Sequence, residues 1–277
     1  VIYNATYLMV PILFAALGGL FSERAGNLNI GLEGLILLGA FMGIVGTYLT
    51  GSILVGMLFG SAAGSILALV YSVACLDLRS NIFIAGLAIN LLAAGLVPYL
   101  SQLIFGTKGV VQLTEPATIP AVLGVSVTVF LAVAVTAVVH YVLGHTRFGI
   151  RIRAVGEDPA ILESRGLQPR AYQRMAMILS GTFAGFAGAE MALRLGVYVP
   201  NISAGRGWIA LVAIFLGVKR PFGVLAAATL FAVLDALSGA AQGLLTIPGT
   251  LLLGLPHALT LVAMVIYSAV SRRPGIE

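Results

Sequence analysis

The chain has 277 residues, 60% of them hydrophobic and only 9% charged, with a mean hydropathy of +1.07. A soluble domain carries roughly 25% charged residues, so this chain cannot cover its own surface with polar groups in water. That excludes a water-soluble enzyme and a disordered or nucleic-acid-binding protein, and the net charge of +5 is read against a membrane instead.

Charge-poor apolar runs lie near 3–21, 27–49, 53–75, 82–104, 119–143, 175–195, 206–219, 222–243 and 250–271. A span needs about 20 apolar residues. The expected fold is therefore all-α: a polytopic integral membrane protein of about eight to ten transmembrane helices, forming a single domain over 1–277. The run 206–219 is too short to cross straight, so it reads as re-entrant or as half of a broken helix. Orientation follows from Lys and Arg. The only long polar stretch, His145 to Arg174, carries Arg147, Arg151, Arg153, Arg165, Arg170 and Arg174, which makes it cytoplasmic. Alternating outward, Arg24, Arg79, Lys219–Arg220 and Arg272–Arg273 fall on the same side, and Lys108, Arg194 and Arg206 on the other.

Glycine is frequent, at 34 residues. Gly56, Gly60 and Gly64 repeat every four residues, as do Gly181, Gly185 and then Ala189. Small residues at this spacing let helix backbones approach closely. Soluble-enzyme chemistry is missing. Neither Lys108 nor Lys219 sits in a phosphate-binding Gly-rich loop. His140, His145 and His257 are scattered, and the single Cys75 permits no internal disulfide. Membrane function without catalysis leaves a transporter, a channel or a receptor.

Residues 144–174 are the most informative. Asp158 can cap a helix and Pro159 fits its first turn. Ala160 to Arg165 continues the helix, Gly166 is a C-terminal stop, and Pro169 prevents simple continuation. The spacing predicts one short polar helix between two spans, carrying the apolar pair Ile161–Leu162. Two readings are open: a solvated basic connector, or a docking helix for a cytoplasmic partner.

The loop resembles the coupling loop of ABC importer permeases, in the branch serving branched-chain amino acids, ribose-type sugars and nucleosides. The resemblance rests on Arg153-Ala154-Val155-Gly156-Glu157-Asp158-Pro159, followed by Gly166. Asp158 stands where Asn is common, and Ile161–Leu162 where a small Ala pair is. Three further blocks fall in the same order. Ser22-Glu23-Arg24-Ala25-Gly26-Asn27-Leu28-Asn29-Ile30-Gly31-Leu32-Glu33-Gly34 is similar to a signature of nucleoside-type permeases. The others are Leu179–Ala189, and Ala204-Gly205-Arg206-Gly207-Trp208 with Leu216-Gly217 and Pro221.

The resemblance implies an importer subunit of the bacterial inner membrane, most suited to nucleosides, with a simple sugar or riboflavin as alternatives. It implies a second, usually non-identical, permease subunit, an ATP-binding subunit and an extracytoplasmic substrate-binding lipoprotein. This chain would bind no cofactor and hydrolyse nothing; ATP and Mg would be used by the partner ATPase. Gly156, Glu157, Asp158, Pro159, Ile161, Leu162, Glu163 and Gly166 would then couple to that ATPase. An ion-coupled secondary transporter, with Glu33 and Asp235 as coupling sites, is the competing class.

Polar groups inside spans are costly and each suggests a role. Asn29 and Glu33 are four apart, as on one helix face. Glu33 either caps or pairs within the bundle or meets substrate. Asn90 either bonds substrate or joins two helices. Glu190 and Arg194 suggest a local ion pair. Trp208 belongs to an interfacial belt or stacks on a base. Asn29, Glu33, Asn90 and Trp208 are thus the candidate substrate pathway.

Overall fold

A computed structural model describes residues 2–113, 119–122 and 125–242. The predicted span 250–271 and His257 lie outside them. Among the described residues the regular structure is helical apart from four two-residue strands, and seven helices are long and apolar enough to cross a membrane. All-α architecture is what a bilayer imposes, because a helix satisfies its own backbone hydrogen bonds where no water is present.

The elements run α1 (Ile2–Arg24), α2 (Leu32–Thr50), α3 (Ile53–Ser72) continued by a π-helical turn (Val73–Asp77), and α4 (Ile82–Phe105). Then come β1 (Val111–Gln112), the hairpin β2 (Ala121–Val122) and β3 (Val125–Ser126), and α5 (Val127–His145). α6 (Arg147–Glu157), α7 (Ala160–Glu163) and α8 (Pro169–Leu195) follow. β4 (Val197–Tyr198), α9 (Arg206–Leu216) and α10 (Pro221–Gln242) complete the described chain. β4 pairs antiparallel with β1, Val111 opposite Tyr198.

Several boundaries differ from the sequence expectation. The apolar run from 27 is not helical before Leu32, so Asn29 and Glu33 do not share a helix face. The Asn29 amide oxygen instead accepts the Gly31 N–H at 3.0 Å, a local bond that competes with helix formation. The run from 119 opens as the β2–β3 hairpin, and its helix starts only at Val127, where the Ser126 hydroxyl accepts the Thr128 N–H. Apolar length alone does not separate strand from helix. α8 starts at Pro169, before the predicted 175, because proline is favourable in a first helical turn.

α1, α2 and α8 form the interior, while α3, α4, α5 and α10 are peripheral with exposed apolar faces. The two glycine stripes predicted to pack do so against each other. A Cβ on Gly64 would meet the Gly181 carbonyl, and one on Gly185 would meet the Gly60 carbonyl. α2 joins the same seam, since a Cβ on Gly60 would lie 2.6 Å from Ala189 Cβ and 2.7 Å from the Gly39 oxygen. Three helices therefore touch backbone to backbone around α8. Gly185→Val should lower stability in detergent by about 1–3 kcal/mol, the usual penalty of overpacking. Gly95→Ala, inside α4 where a Cβ meets nothing within 4 Å, should hold or slightly raise the melting temperature, since alanine is the better helix former. Equal melting curves for the two variants would refute the packing account.

Candidate functional site

α9 is the least conventional element and organises the site. Its 11 residues rise about 16 Å, roughly half of a hydrocarbon core of about 30 Å. Its C-terminal end is fixed at the basic end of the bundle. There the Lys219 ammonium lies 2.6 Å from Glu23, and Arg24 Nε donates to the Lys219 carbonyl at 3.0 Å. Val218 and Lys219 both take positive φ, near 53°, to make this tight turn. The Glu23-Arg24 pair of the N-terminal block thus latches the α9–α10 turn onto α1. The N-terminus of α9 must then lie about midway through the bundle, and the stretch from β4 to Gly205 descends to it from the opposite end. The chain crosses as a loop plus a half-helix. Arg206 and Trp208 consequently sit inside the bundle's depth, not at the outer surface where the sequence placed them.

A helix N-terminus at that depth has backbone N–H groups with no water to meet them. Glu33 supplies the acceptors. One carboxylate oxygen accepts the Gly205 N–H and the other the Gly207 N–H, each at 2.8 Å. Negative charge is also favoured here by the α9 dipole, and by that of α2, in whose first turn Glu33 lies. Glycine is required at 207, because a Cβ there would collide with the backbone of Glu33. The approach is contorted: Asn201, Ala204 and Gly205 all have positive φ, a conformation costly for the first two.

Asn90 and Asn29 complete the junction. Asn90 on α4 accepts the Gly34 N–H at 2.8 Å and donates to the Ile30 carbonyl at 3.0 Å. It caps α2 and holds α4 to it. Asn29 donates to the Ser180 hydroxyl on α8 at 2.8 Å and is fully buried. The structure thus brings Asn29, Glu33 and Asn90 together as internal struts. Trp208 differs, with 41% of its surface open.

Two partners were not legible in the sequence. Asp235 on α10 lies 3.9 Å from Arg206, a pair separated by 29 residues and invisible to local spacing. Ser180 has no feature that distinguishes it from a packing serine. Close to the Arg206–Asp235 pair, Ser203 Oγ and Arg206 Nε are buried without a hydrogen-bond partner. Nearer the opposite end, Glu190 and Arg194 form the expected local pair at 3.9 Å. Thr128 on α5 also donates to Glu190 at 3.0 Å, and Arg194 reaches the Tyr7 carbonyl on α1.

The polar loop contains more helix than the sequence suggested. α6 is an additional amphipathic helix capped by Thr146, whose hydroxyl accepts the Gly149 N–H at 3.1 Å. Ile152 and Val155 face inward, and Phe148-Ile152-Val155 was the overlooked helical-spacing signal. A Cβ on Gly156 would run into the Arg24 carbonyl, so α6 lies directly on the end of α1. Asp158 behaves as a cap, accepting the Ala160 N–H at 2.9 Å, and Gly166 ends the segment at φ +68°. Residues 156–166 are all exposed except Leu162. Ile161 faces out; Leu162, only 2% exposed, packs inward and is not available to a partner. The sequence treated these two as one apolar pair.

Seven apolar helices, buried glycine seams and a half-helix stopped at mid-depth define a multi-pass membrane protein. The family model for the permease component of branched-chain amino acid transport systems matches residues 1–268. The chain belongs to that family. It is 31% identical to the nucleoside ABC transporter permease protein NupC of Lactococcus lactis, over 96% of this chain and 92% of that protein. It is 34% identical to the guanosine ABC transporter permease protein NupQ of Bacillus subtilis, over 92% and 87%. A putative glucose ABC transporter permease, TsgC13 of Haloferax volcanii, is 36% identical over 87% and 78%.

Glu33→Ala should strand two N–H groups and destabilise the protein by about 2–3 kcal/mol, while Glu33→Gln, which keeps one acceptor, should cost less. Denaturant unfolding in detergent measures both. An unchanged midpoint for Glu33→Ala would remove the capping role.

Proposed function

We propose that the chain is the transmembrane permease subunit of a bacterial ABC importer for nucleosides, in the cytoplasmic membrane. It would work with a second permease subunit, an extracytoplasmic substrate-binding lipoprotein and a separate ATPase that hydrolyses ATP with Mg. The observation that carries this reading is the loop tip. A short capped helix, exposed on nearly every residue, is held without slack by α6 against α1. A segment so built can transmit a push. α6 bears on the end of α1, and the Glu23-Arg24 latch bears on α9, whose far end reaches Glu33. Gly156 would supply the close contact with α1, Asp158, Pro159 and Gly166 the shape, and Glu157, Ile161 and Glu163 the surface offered to the ATPase. Leu162 would anchor the tip from within.

At the other end of that train, the residue best placed to meet a base is Trp208, with Arg206 and Asp235 beside the path. Glu33, Asn29 and Asn90 support it as struts. The nucleoside reading is favoured by the two relatives named for nucleosides. The glucose relative keeps a sugar as the second reading, and riboflavin remains the third expectation. The ion-coupled reading is weakened because Glu33 is engaged by two N–H groups and Asp235 lies beside Arg206.

Purifying the protein with its genomic neighbours and measuring ATPase turnover with the receptor present tests the assignment. Nucleosides should stimulate turnover several-fold and glucose should not; the reverse selectivity would transfer the assignment to sugars. Uptake by this chain alone, driven by an ion gradient, would refute the importer. Ile161→Asp should abolish that stimulation and weaken ATPase retention on size exclusion while leaving the melting temperature of the isolated chain unchanged. Full coupling in Ile161→Asp would exclude the tip as the docking surface.

A further inference from the structure

At the basic end α1, α5, α6 and the α9–α10 turn surround an open cavity of about 950 Å³. Its rim is cationic, with Arg24, Arg153, Lys219 and Arg220 all lining it and His140 beside them. Two carboxylates oppose these four cations. Glu23 is taken by Lys219 at 2.6 Å, and Glu157 acts on Arg24 from α6. Arg24 is itself engaged on the Lys219 carbonyl.

Arg153 and Arg220 are left. Arg153 makes one long hydrogen bond, to the Gly144 carbonyl at 3.4 Å, and its Nε is buried without a partner. The Arg220 side chain is exposed and makes no hydrogen bond or ion pair with the described residues. Both repel Arg24, so the cluster sets four cations against two carboxylates, and neither Arg153 nor Arg220 forms an ion pair with either of them. The start of α10, at Pro221 and Phe222, adds the positive end of a 22-residue helix.

The remaining wall is apolar. Phe222, Ala226 and Leu230 follow each other at four-residue spacing along α10, all three exposed, and Leu143 of α5 faces the same space. This stripe begins at the cationic rim and runs up the span.

We propose that the cavity seats an anionic phospholipid. Its phosphate would lie between Arg153 and Arg220 at the start of α10, and one acyl chain along Phe222, Ala226 and Leu230. The cations stop at the rim while the apolar wall continues into the bilayer, which matches the two halves of a lipid. A soluble phosphate compound would leave the stripe uncovered. Basic pockets between spans on the positive side of a membrane favour such headgroups. The bound lipid would brace α6 against α10 directly behind the exposed loop tip.

The test is native mass spectrometry on the delipidated protein with its co-purifying subunits, titrated with dioctanoyl phosphatidylglycerol, dioctanoyl phosphatidylcholine or inorganic phosphate. Phosphatidylglycerol should bind about tenfold tighter than phosphatidylcholine at one site. The double variant Arg153→Gln/Arg220→Gln should lose that preference, and Arg220→Lys should keep most of it. Leu230→Asn should weaken phosphatidylglycerol several-fold. Equal binding of the two lipids, or a preference untouched by the double variant, would overturn the proposal. So would inorganic phosphate displacing the lipid with Leu230→Asn having no effect, since the site would then serve a free anion. Crosslinking of a photoreactive benzophenone attached at Leu230→Cys to the second permease would also overturn it, by showing the stripe to be a subunit interface. If the double variant does not assemble, the wild-type lipid preference and Leu230→Asn still decide.

Discussion

A helix that ends in the middle of a bilayer has exposed N–H groups and no water to bond them. In this protein the Glu33 carboxylate meets that requirement at the start of α9, and much else is arranged around it. Glu33 can reach Gly205 and Gly207 only because the chain leaves α1, doubles back through residues 27–31 and starts α2 at Leu32. That reversal is held by Asn29 on Ser180 and by Asn90 on the backbone at Ile30 and Gly34. Three polar side chains that would each be expensive in hydrocarbon are thereby satisfied by one another's neighbourhood.

The junction needs a rigid frame, and glycine provides it. Helices in lipid gain little from burying apolar surface against each other, so close packing has to come from van der Waals fit. α8 meets α2 and α3 along Gly39, Gly60, Gly64, Gly181 and Gly185, where a single Cβ would push backbones apart. A seam this tight fixes the height of Ser180, hence of Asn29, hence of the carboxylate four residues on. Packing and polar chemistry are thus one structure rather than two.

The basic end ties that frame to the exposed loop tip. The short exposed tip is tied through α6 to the end of α1 at Gly156, and Glu23 and Arg24 tie the same end of α1 to the α9–α10 turn. The half-helix therefore has one end at the cytoplasm-facing surface expected from the charge pattern and the other at the polar junction beside Trp208. Arg153 and Arg220 stand between these connections with more positive charge than the protein balances, which is why that cavity reads as a seat for an anion.

Much of this is legible in the amino-acid sequence alone. Sustained apolar runs specify helices because a bilayer leaves few other backbone structures available. Gly-x-x-x-Gly spacing announced the seam. Asp158, Pro159 and Gly166 announced the capped tip, and the length of the 206–219 run already denied it a full crossing. What local patterns could not carry was depth and partnership. Whether residues 27–31 join α2 depends on a side-chain bond within the turn and on Ser180 some 150 residues away. Whether Leu162 or Ile161 faces a partner depends on which way a single helical turn is rolled. Asp235 acquires Arg206, and Glu33 two glycine N–H groups, only when separate helices are stacked. Composition and periodicity report the solvent each segment prefers, whereas the neighbours of a buried charge are chosen by how the whole bundle closes.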